Sequence, residues 1–291
     1  MQLSVSRPSC RLLRPRRWLA GALLCLSPCL AQAVQLRLCQ TEVTRYEYRL
    51  ALTRLVLEKT AAEQELVELQ RHGSGADPAQ DRCLELLRRG EVDLVYLPPN
   101  EQRMAEFGVL PVDLYRGLLG YRLLLIRRQD TARFAVVGQL AQLRQFVGGF
   151  GRQWADLLVF ERNGLPVVTG PGNEALIAML KARRFDYLHR SVTEAFAELS
   201  QFDADAQLMI EPHLALHYDF PVYFMVRREQ KALLQRLKLG LQKAQADGSF
   251  DRLFAQHFAL VLQRARLAQR RVIELDYPLP AGLPRPERLP R

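Results

Sequence analysis

The chain has 291 residues, 48% of them hydrophobic, enough to bury a core in one large or two medium domains. Its formal net charge is +10, and past the first 33 residues cations and acids are mixed along it with no block of like charge. That pattern argues against nucleic acid as a partner, which would gather Lys and Arg on one element. Beyond the first thirty residues no stretch reaches the roughly 20 apolar residues that cross a bilayer.

Arg7, Arg11, Arg14, Arg16 and Arg17 form a basic start, and an apolar run from Trp18 to Leu30 follows. Ala31-Gln32-Ala33 then gives the small-x-small pattern of a signal-peptidase site, so residues 1–33 read as a signal peptide cut after Ala33 and the mature chain as periplasmic. The leader holds five arginines and no acid, so its removal lowers the net charge from +10 to +5. Cys10, Cys25 and Cys29 leave with it. Cys39 and Cys83 remain, an even pair in an oxidising compartment, able to form a disulfide or to stay as two buried thiols. No Cys or His spacing points to zinc, and no cofactor is expected.

In the mature chain, Val34–Leu38 alternates and predicts a first strand ending at Cys39. Leu52, Leu55 and Val56 recur at helical spacing between Tyr48 and Thr60. Glu65–Leu69 predicts a second strand, and the turn-rich stretch from Arg71 to Asp77 a loop. Asp77 as N-cap, Pro78 at the first helical position and Gly90 behind Arg88 and Arg89 bracket a helix. Val92–Tyr96 predicts a third strand. Strand and helix alternating over about 60 residues predict parallel βαβ units, whose strand C-terminal ends share the edge where ligands bind. Cys83 lies roughly 7–8 Å into the helix that starts from that edge, so a bridge to Cys39 is geometrically sensible and would brace it.

Asn100 to Arg103 is a polar loop, and Tyr115–Ile126 an apolar stretch broken by Gly117 and Gly120, suited to crossing from one body to another. A second α/β unit follows: a helix at 139–145, a strand at 146–149, a helix at 152–162, a strand at 166–169, a helix at 173–184 and a strand at 185–188. Ser191 and Glu194 then make a capping box for a further helix, and Leu208–Ile210 is strand-like. Val222–Val226 predicts a strand, and Lys231–Ala246 and Phe250 to about Arg270 two helices. The last stretch carries five of the 16 prolines and reads as an extended tail.

Three stretches carry a resemblance to family 3 of the bacterial extracellular solute-binding proteins, which bind polar amino acids for ABC importers. LLRRGEVDLVYLPPNEQR is similar to the family's "L..G.iD.....s.T.eR", LKARRFDYL to its "L..gr.Da", and GLQKAQADGSFDRLFAQHF to its C-terminal "a...l..dGt...i..ky.". The resemblance implies an α/β, two-lobed periplasmic-binding-protein fold of type II, each lobe a mainly parallel sheet flanked by helices, with two hinge crossings. Lobe 1 would comprise 34–117 plus 218–270, lobe 2 118–217, and 271–291 the tail. It further implies that Arg103 holds a ligand carboxylate and Asp186 a ligand ammonium.

The residue chemistry agrees with those roles. The planar fork of Arg103 suits a carboxylate through two parallel bonds, and Asp186 carries the charge an ammonium needs. Gly149 to Gln153 can present N–H groups at a helix start, which brings in Gly151 and Arg152. Tyr46 can pack on the apolar part of a ligand. Asn100 stands beside Pro98 and Pro99 where the family has Ser or Thr, and Arg152 replaces its Thr, which favours a more acidic ligand.

The expected function is capture of a small carboxylate-bearing solute by hinge closure, as a monomer, for a membrane permease; a sensory module delivering to a membrane receptor uses the same lobes. A dehydratase-like enzyme is the other alternative. An enzyme is not expected, since Gly-x-Ser-x-Gly, a phosphate loop and His-Glu-x-x-His are all missing. Glu211, His213 and His217 are the nearest approach to a metal set, and the strand expected there spoils the spacing.

Overall fold

The computed structural model describes residues 33–41, 43–74, 78–152, 154 and 156–289. The leader up to Gln32, the Asp77 cap and Gln153 lie outside the described residues. In chain order, β1 (Ala33–Leu38), α1 (Val43–Glu58), β2 (Leu66–Arg71), α2 (Gln80–Arg88), β3 (Val95–Leu97), α3 (Glu101–Glu106) and β4 (Gly108–Leu110) build the first lobe. The second lobe holds β5 (Tyr121–Arg127), α4 (Thr131–Ala135), α5 (Leu140–Leu143), β6 (Gly148–Gly151), α6 (Leu157–Arg162), β7 (Val167–Gly170), α7 (Asn173–Lys181), β8 (Tyr187–Ser191), α8 (Val192–Phe202), β9 (Leu208–Ile210) and β10 (Leu214–His217). The chain then supplies β11 (Tyr223–Val226), α9 (Lys231–Ala246) and α10 (Ser249–Ala265) to the first lobe, and β12 (Arg271–Glu274) to the second.

In the first lobe β1 and β2 pair in parallel, a bridge between Leu38 and Leu94 continues them toward β3, and β11 lies antiparallel between β3 and β4. The C-terminal ends of β1, β2, β3 and β4 and the start of β11 therefore share one edge. The second lobe has the order β12-β10-β5-β8-β6-β7, with β9 paired to the far half of β5. All its strands run one way except β5, which enters antiparallel to β8, β9 and β10. Hence Gly151, Ser191, His217, Glu274 and the β5 start at Tyr121 come together on one edge. Each lobe thus turns strand C-termini to one side, where a parallel α/β sheet binds ligands.

The largest core joins β1, β3 and β11 to α1, α9 and α10 through Leu52, Val56, Phe224, Leu237, Leu241 and Phe254. Gly240 lets α9 lie directly on α1, since a Cβ there would overlap the carbonyl oxygen of Val56. A second cluster covers the other face of the lobe-2 sheet with Phe134, Phe146, Phe150 and Phe160.

Several elements differ from the expected bounds, each for a local reason. The turn after α5 continues through Phe146 N–H to Leu143 O at 2.9 Å, so β6 starts only at Gly148. Arg152 N–H still bonds Gly170 O at 3.0 Å on β7, which postpones α6 to Leu157. Pro98 and Pro99 have no N–H to extend the β3 ladder, and the polar loop after them closes into α3. Helix α10 stops at Arg266, whose φ of 47° is left-handed, and Arg271–Glu274 joins β10 as a parallel strand. Besides the two expected crossings, the chain therefore makes a third at 266–270. The last stretch is not free: its first four residues are lobe-2 sheet.

Asp113 ties the first two crossings together. Its carboxylate accepts the N–H groups of Tyr115 (3.2 Å) and Gly117 (2.6 Å) on one and of Val222 (3.1 Å) on the other. Burial pushes this carboxyl up to about 6, against the three N–H donors that pull it down. The unfolded value is about 3.9, so between the two values the native state keeps a proton that the unfolded chain has released. Stability from this group therefore falls as pH rises from about 4 to 6. Asp113→Asn is expected to flatten that part of the profile, measured by urea unfolding across the window; an unchanged slope excludes Asp113 as its source.

Candidate functional site

Arg103 reaches the first-lobe edge through a local device. Asn100 caps α3, its Oδ1 accepting the Arg103 N–H at 2.8 Å, and Arg103 Nη1 donates to Pro98 O at 2.8 Å. Asn100 is thus spent on orienting Arg103. The Arg103 guanidinium is half-buried, and desolvation lowers its pKa. Among the described residues no carboxylate pairs with it; Asp81 acts only at a distance. A cation held out of water without an acid is costly unless an anion arrives.

Tyr46 lies in the first turns of α1, after β1, and is buried. The guanidinium of Arg49 sits 4.8 Å over its ring and also faces Tyr96 and Tyr115, donating through Nε to Tyr115 Oη at 2.7 Å. This second arginine also has aromatic and phenolic partners and no carboxylate among the described residues. Cys39, just past β1, is joined by a disulfide to Cys83 in α2, with the Cα atoms 5.6 Å apart. Both are buried with Leu87, Val95 and Phe107, so the bridge clamps the edge on which Arg103 stands.

On the second lobe Gly151 is buried at the end of β6, where any side chain would collide with the Trp154 indole. Arg152 is exposed, and with its N–H committed to Gly170 the strand-to-helix turn does not offer it to an anion. Asp186 is on the other edge. It precedes β8, about 16 Å of strand away from Ser191 at the C-terminal end, and its carboxylate is held by Arg133 at 3.0 Å and by the N–H of Val147 at 2.9 Å. The structure therefore brings Arg103, Asn100 and Tyr46 to one edge, places Gly151 and Arg152 on the matching edge, and leaves Asp186 outside. Glu211 accepts backbone N–H groups of His213 and Leu214, while His217 Nδ1 meets Glu274 at 2.7 Å.

The second edge carries charges that sequence reasoning passed over. Arg122, at the start of β5, pairs with Asp156 at 2.9 Å and stacks 5.1 Å from the rings of Tyr218 and Phe220; Tyr218 Oη also donates to Asp156. Arg190, in β8, binds both oxygens of Glu198 at 2.5 and 2.6 Å and Glu194 at 2.9 Å, with its guanidinium 4.4 Å over Trp154. His189 is fully enclosed by Phe150 and Phe160, and burial together with Arg122 and Arg190 holds its pKa well below the usual value, so it is neutral. Each arginine interrupts an apolar strand (YRLLLI and YLHRS), which was the available signal: a charge in a buried strand needs a partner.

Tyr277 links the two edges. It follows β12, stacks on Tyr218 with centroids 6.2 Å apart and meets Phe220 edge-on at 5.7 Å. Its hydroxyl lies in electrostatic reach of Arg103 and Tyr223 on the first lobe and of Asp156 and Arg122 on the second. The two strand-end edges therefore face each other across this residue.

Two lobes with facing strand ends and interlobe crossings define the periplasmic-binding-protein fold, and solved structures agree. An ancestral arginine-binding protein bound to arginine matches with a TM-score of 0.53 at 17% identity, over 72% of this chain and 87% of that one. An amino acid ABC transporter substrate-binding protein from Streptococcus pneumoniae, bound to L-arginine, matches with a TM-score of 0.53 at 17% identity, over 74% and 84% of the two chains. A histidine kinase sensor domain similar to periplasmic binding proteins matches at 0.52 and 19%, over 72% and 85%. No protein-family model matches the chain, and no curated protein matches it in sequence. Among the described residues no helix is long and apolar enough to cross a membrane.

Proposed function

We propose that this chain is an exported, periplasmic solute-binding protein that captures a small carboxylate-bearing solute between its lobes and presents the closed form to a membrane permease. The observation that carries this is Arg103: a half-buried guanidinium at the cleft edge, fixed by the Pro98 carbonyl and lacking an acid among the described residues. A carboxylate would supply the missing charge through two parallel bonds. Asn100 acts by capping the helix that aims Arg103, and Tyr46 with Arg49 lines the same edge. The acids of the facing edge, Asp156, Glu194 and Glu198, are each ion-paired with Arg122 or Arg190, which favours binding over acid–base chemistry. The basic start, the apolar run and the disulfide agree with export to an oxidising compartment.

The test is thermal unfolding of the mature protein with amino acids and simple carboxylates. A cognate carboxylate at a hundredfold over Kd stabilises by about 2.7 kcal/mol, and Arg103→Ala is expected to abolish that gain while leaving the unliganded melt near wild type. Failure of every acidic, basic and neutral carboxylate to shift the wild type overturns the reading; an intact shift in Arg103→Ala overturns the site. The sensor-domain relative favours a second reading, delivery to a membrane receptor. Co-purification of the closed form with a permease or with a kinase ectodomain separates the two.

A further inference from the structure

Arg103, which has no carboxylate partner among the described residues, is not the sole donor of this edge with capacity to spare. The phenol of Tyr223 is fully buried, and its hydroxyl has no hydrogen-bond partner among the described residues. Its place is fixed by strand register: Tyr223 opens β11 directly opposite Leu97, the residue before Pro98, whose carbonyl holds Arg103. Tyr277 supplies a third donor. Its hydroxyl makes no hydrogen bond among the described residues, and it is the common electrostatic neighbour of Arg103 and Tyr223. Burial pushes it up to about 12, so it stays a neutral O–H donor throughout the physiological range.

The third donor is held firmly. β12 pairs along its length with β10, the Asn163 side-chain amide accepts the Asp276 N–H and donates to the Asp276 carbonyl, each at 2.9 Å, and Tyr218 and Phe220 fix the ring. Further on, Glu287 meets Arg116 at 3.0 Å at the first crossing, and Arg288 pairs with Glu274. The segment is clipped at both ends, and Tyr277 is presented between them.

Buried donors without acceptors are rare in folded proteins, because each forfeits its hydration with nothing in return. A guanidinium without a carboxylate among the described residues, a buried unbonded phenol and a half-buried one, with Asp156 already taken by Arg122 and Tyr218 and Asp113 by three backbone N–H groups, is a set of donors suited to an oxyanion. We propose that Tyr223 and Tyr277 complete the carboxylate subsite of Arg103, each hydroxyl donating to a ligand oxygen, so that the C-terminal segment is a wall of the binding site. This rests on the carboxylate-binding reading above and assigns two further contacts within it.

The test uses Tyr223→Phe and Tyr277→Phe, which remove one oxygen each and keep the packing. Wild type, both variants and Arg103→Ala are titrated with succinate, L-glutamate, L-glutamine and L-arginine by thermal shift and calorimetry. For each of these compounds that wild type binds, each Phe variant is expected to weaken Kd by about tenfold, the size of a hydrogen bond to a charged group. Tyr223→Phe is expected to be at least as stable as wild type in buffer alone, since it discards a buried hydroxyl with no partner. Wild-type affinity in both Phe variants, with loss confined to Arg103→Ala, overturns this subsite and leaves the proposed function standing. A lowered melting temperature of unliganded Tyr223→Phe shows that its hydroxyl is bonded within the protein and also overturns it. If wild type binds none of the four compounds nor any other carboxylate, the function falls and the subsite with it.

Discussion

Replacing Cys39 and Cys83 by alanine is expected to lower the unfolding free energy by about 4 kcal/mol, the loop-closure entropy restored to the unfolded chain when a link across some 44 residues is cut. The segment it closes contains α1, β2 and the start of α2, so the unfolded chain gains freedom over a long stretch. The cost in the native state adds to this, because both sulfurs lie in the small core with Leu84, Leu87 and Phe107 and alanines would leave it underfilled. Urea unfolding of the double variant, and of wild type with and without reductant, measures the effect. A loss under about 1 kcal/mol would mean that the reduced chain retains its loop closed by packing alone. Because the bridge joins the end of β1 to α2 beside the α3 edge, reduction is also expected to weaken ligand-induced stabilisation.

Arg190→Met should destabilise by about 3–5 kcal/mol, the usual result of removing one partner from a buried ion pair. The substitution leaves the Glu198 carboxylate in a largely dry interior without its guanidinium, and it removes the cation from the face of Trp154. The double variant Arg190→Met with Glu198→Gln is expected to recover a large share of that loss, since no uncompensated charge then remains. Equilibrium unfolding in urea of the two single variants and the double variant gives the coupling. A single-variant cost near zero would falsify the claim that this pair pins β8 to α8. Both changes sit behind the second edge, so ligand binding by the refolded variants reads whether the pair also positions that edge.

How much of this was legible beforehand varies with the kind of residue. Asn100 and Arg103 stand out as polar residues after a buried strand, and their approach to the edge formed by the strand C-termini follows from strand direction alone. Cys39 and Cys83 follow from the same logic, since strand one ends and the next helix begins on one side. Asp186 shows where that logic stops. It was expected near the start of a strand at 185–188; the pairing of β8 with β6 and the ion pair with Arg133 put it on the far edge. Gly151 and Arg152 were expected to open a helix; the bond from Arg152 N–H to Gly170 O, made by a strand that comes later in the chain, keeps them extended. Tyr277 was hidden altogether, because a proline-rich tail has no periodicity that says where it docks.

Taken alone, the amino-acid sequence determined the alternation of strands and helices and the edge of each sheet to which strand C-termini point, and it singled out Arg103 as the cation we propose for the site. These are local properties, set by periodicity, caps and turn residues within a few positions of one another. What only the tertiary structure decided is which charges are spent and which are left. Arg122 and Arg190 find acids 34 and 8 residues away, by direct bonds to Asp156 and Glu198, while Arg103 finds none among the described residues. Whether a buried charge is satisfied depends on neighbours brought in from distant parts of the chain, and β12 carries Tyr277 back to the cleft by pairing with a strand more than fifty residues earlier.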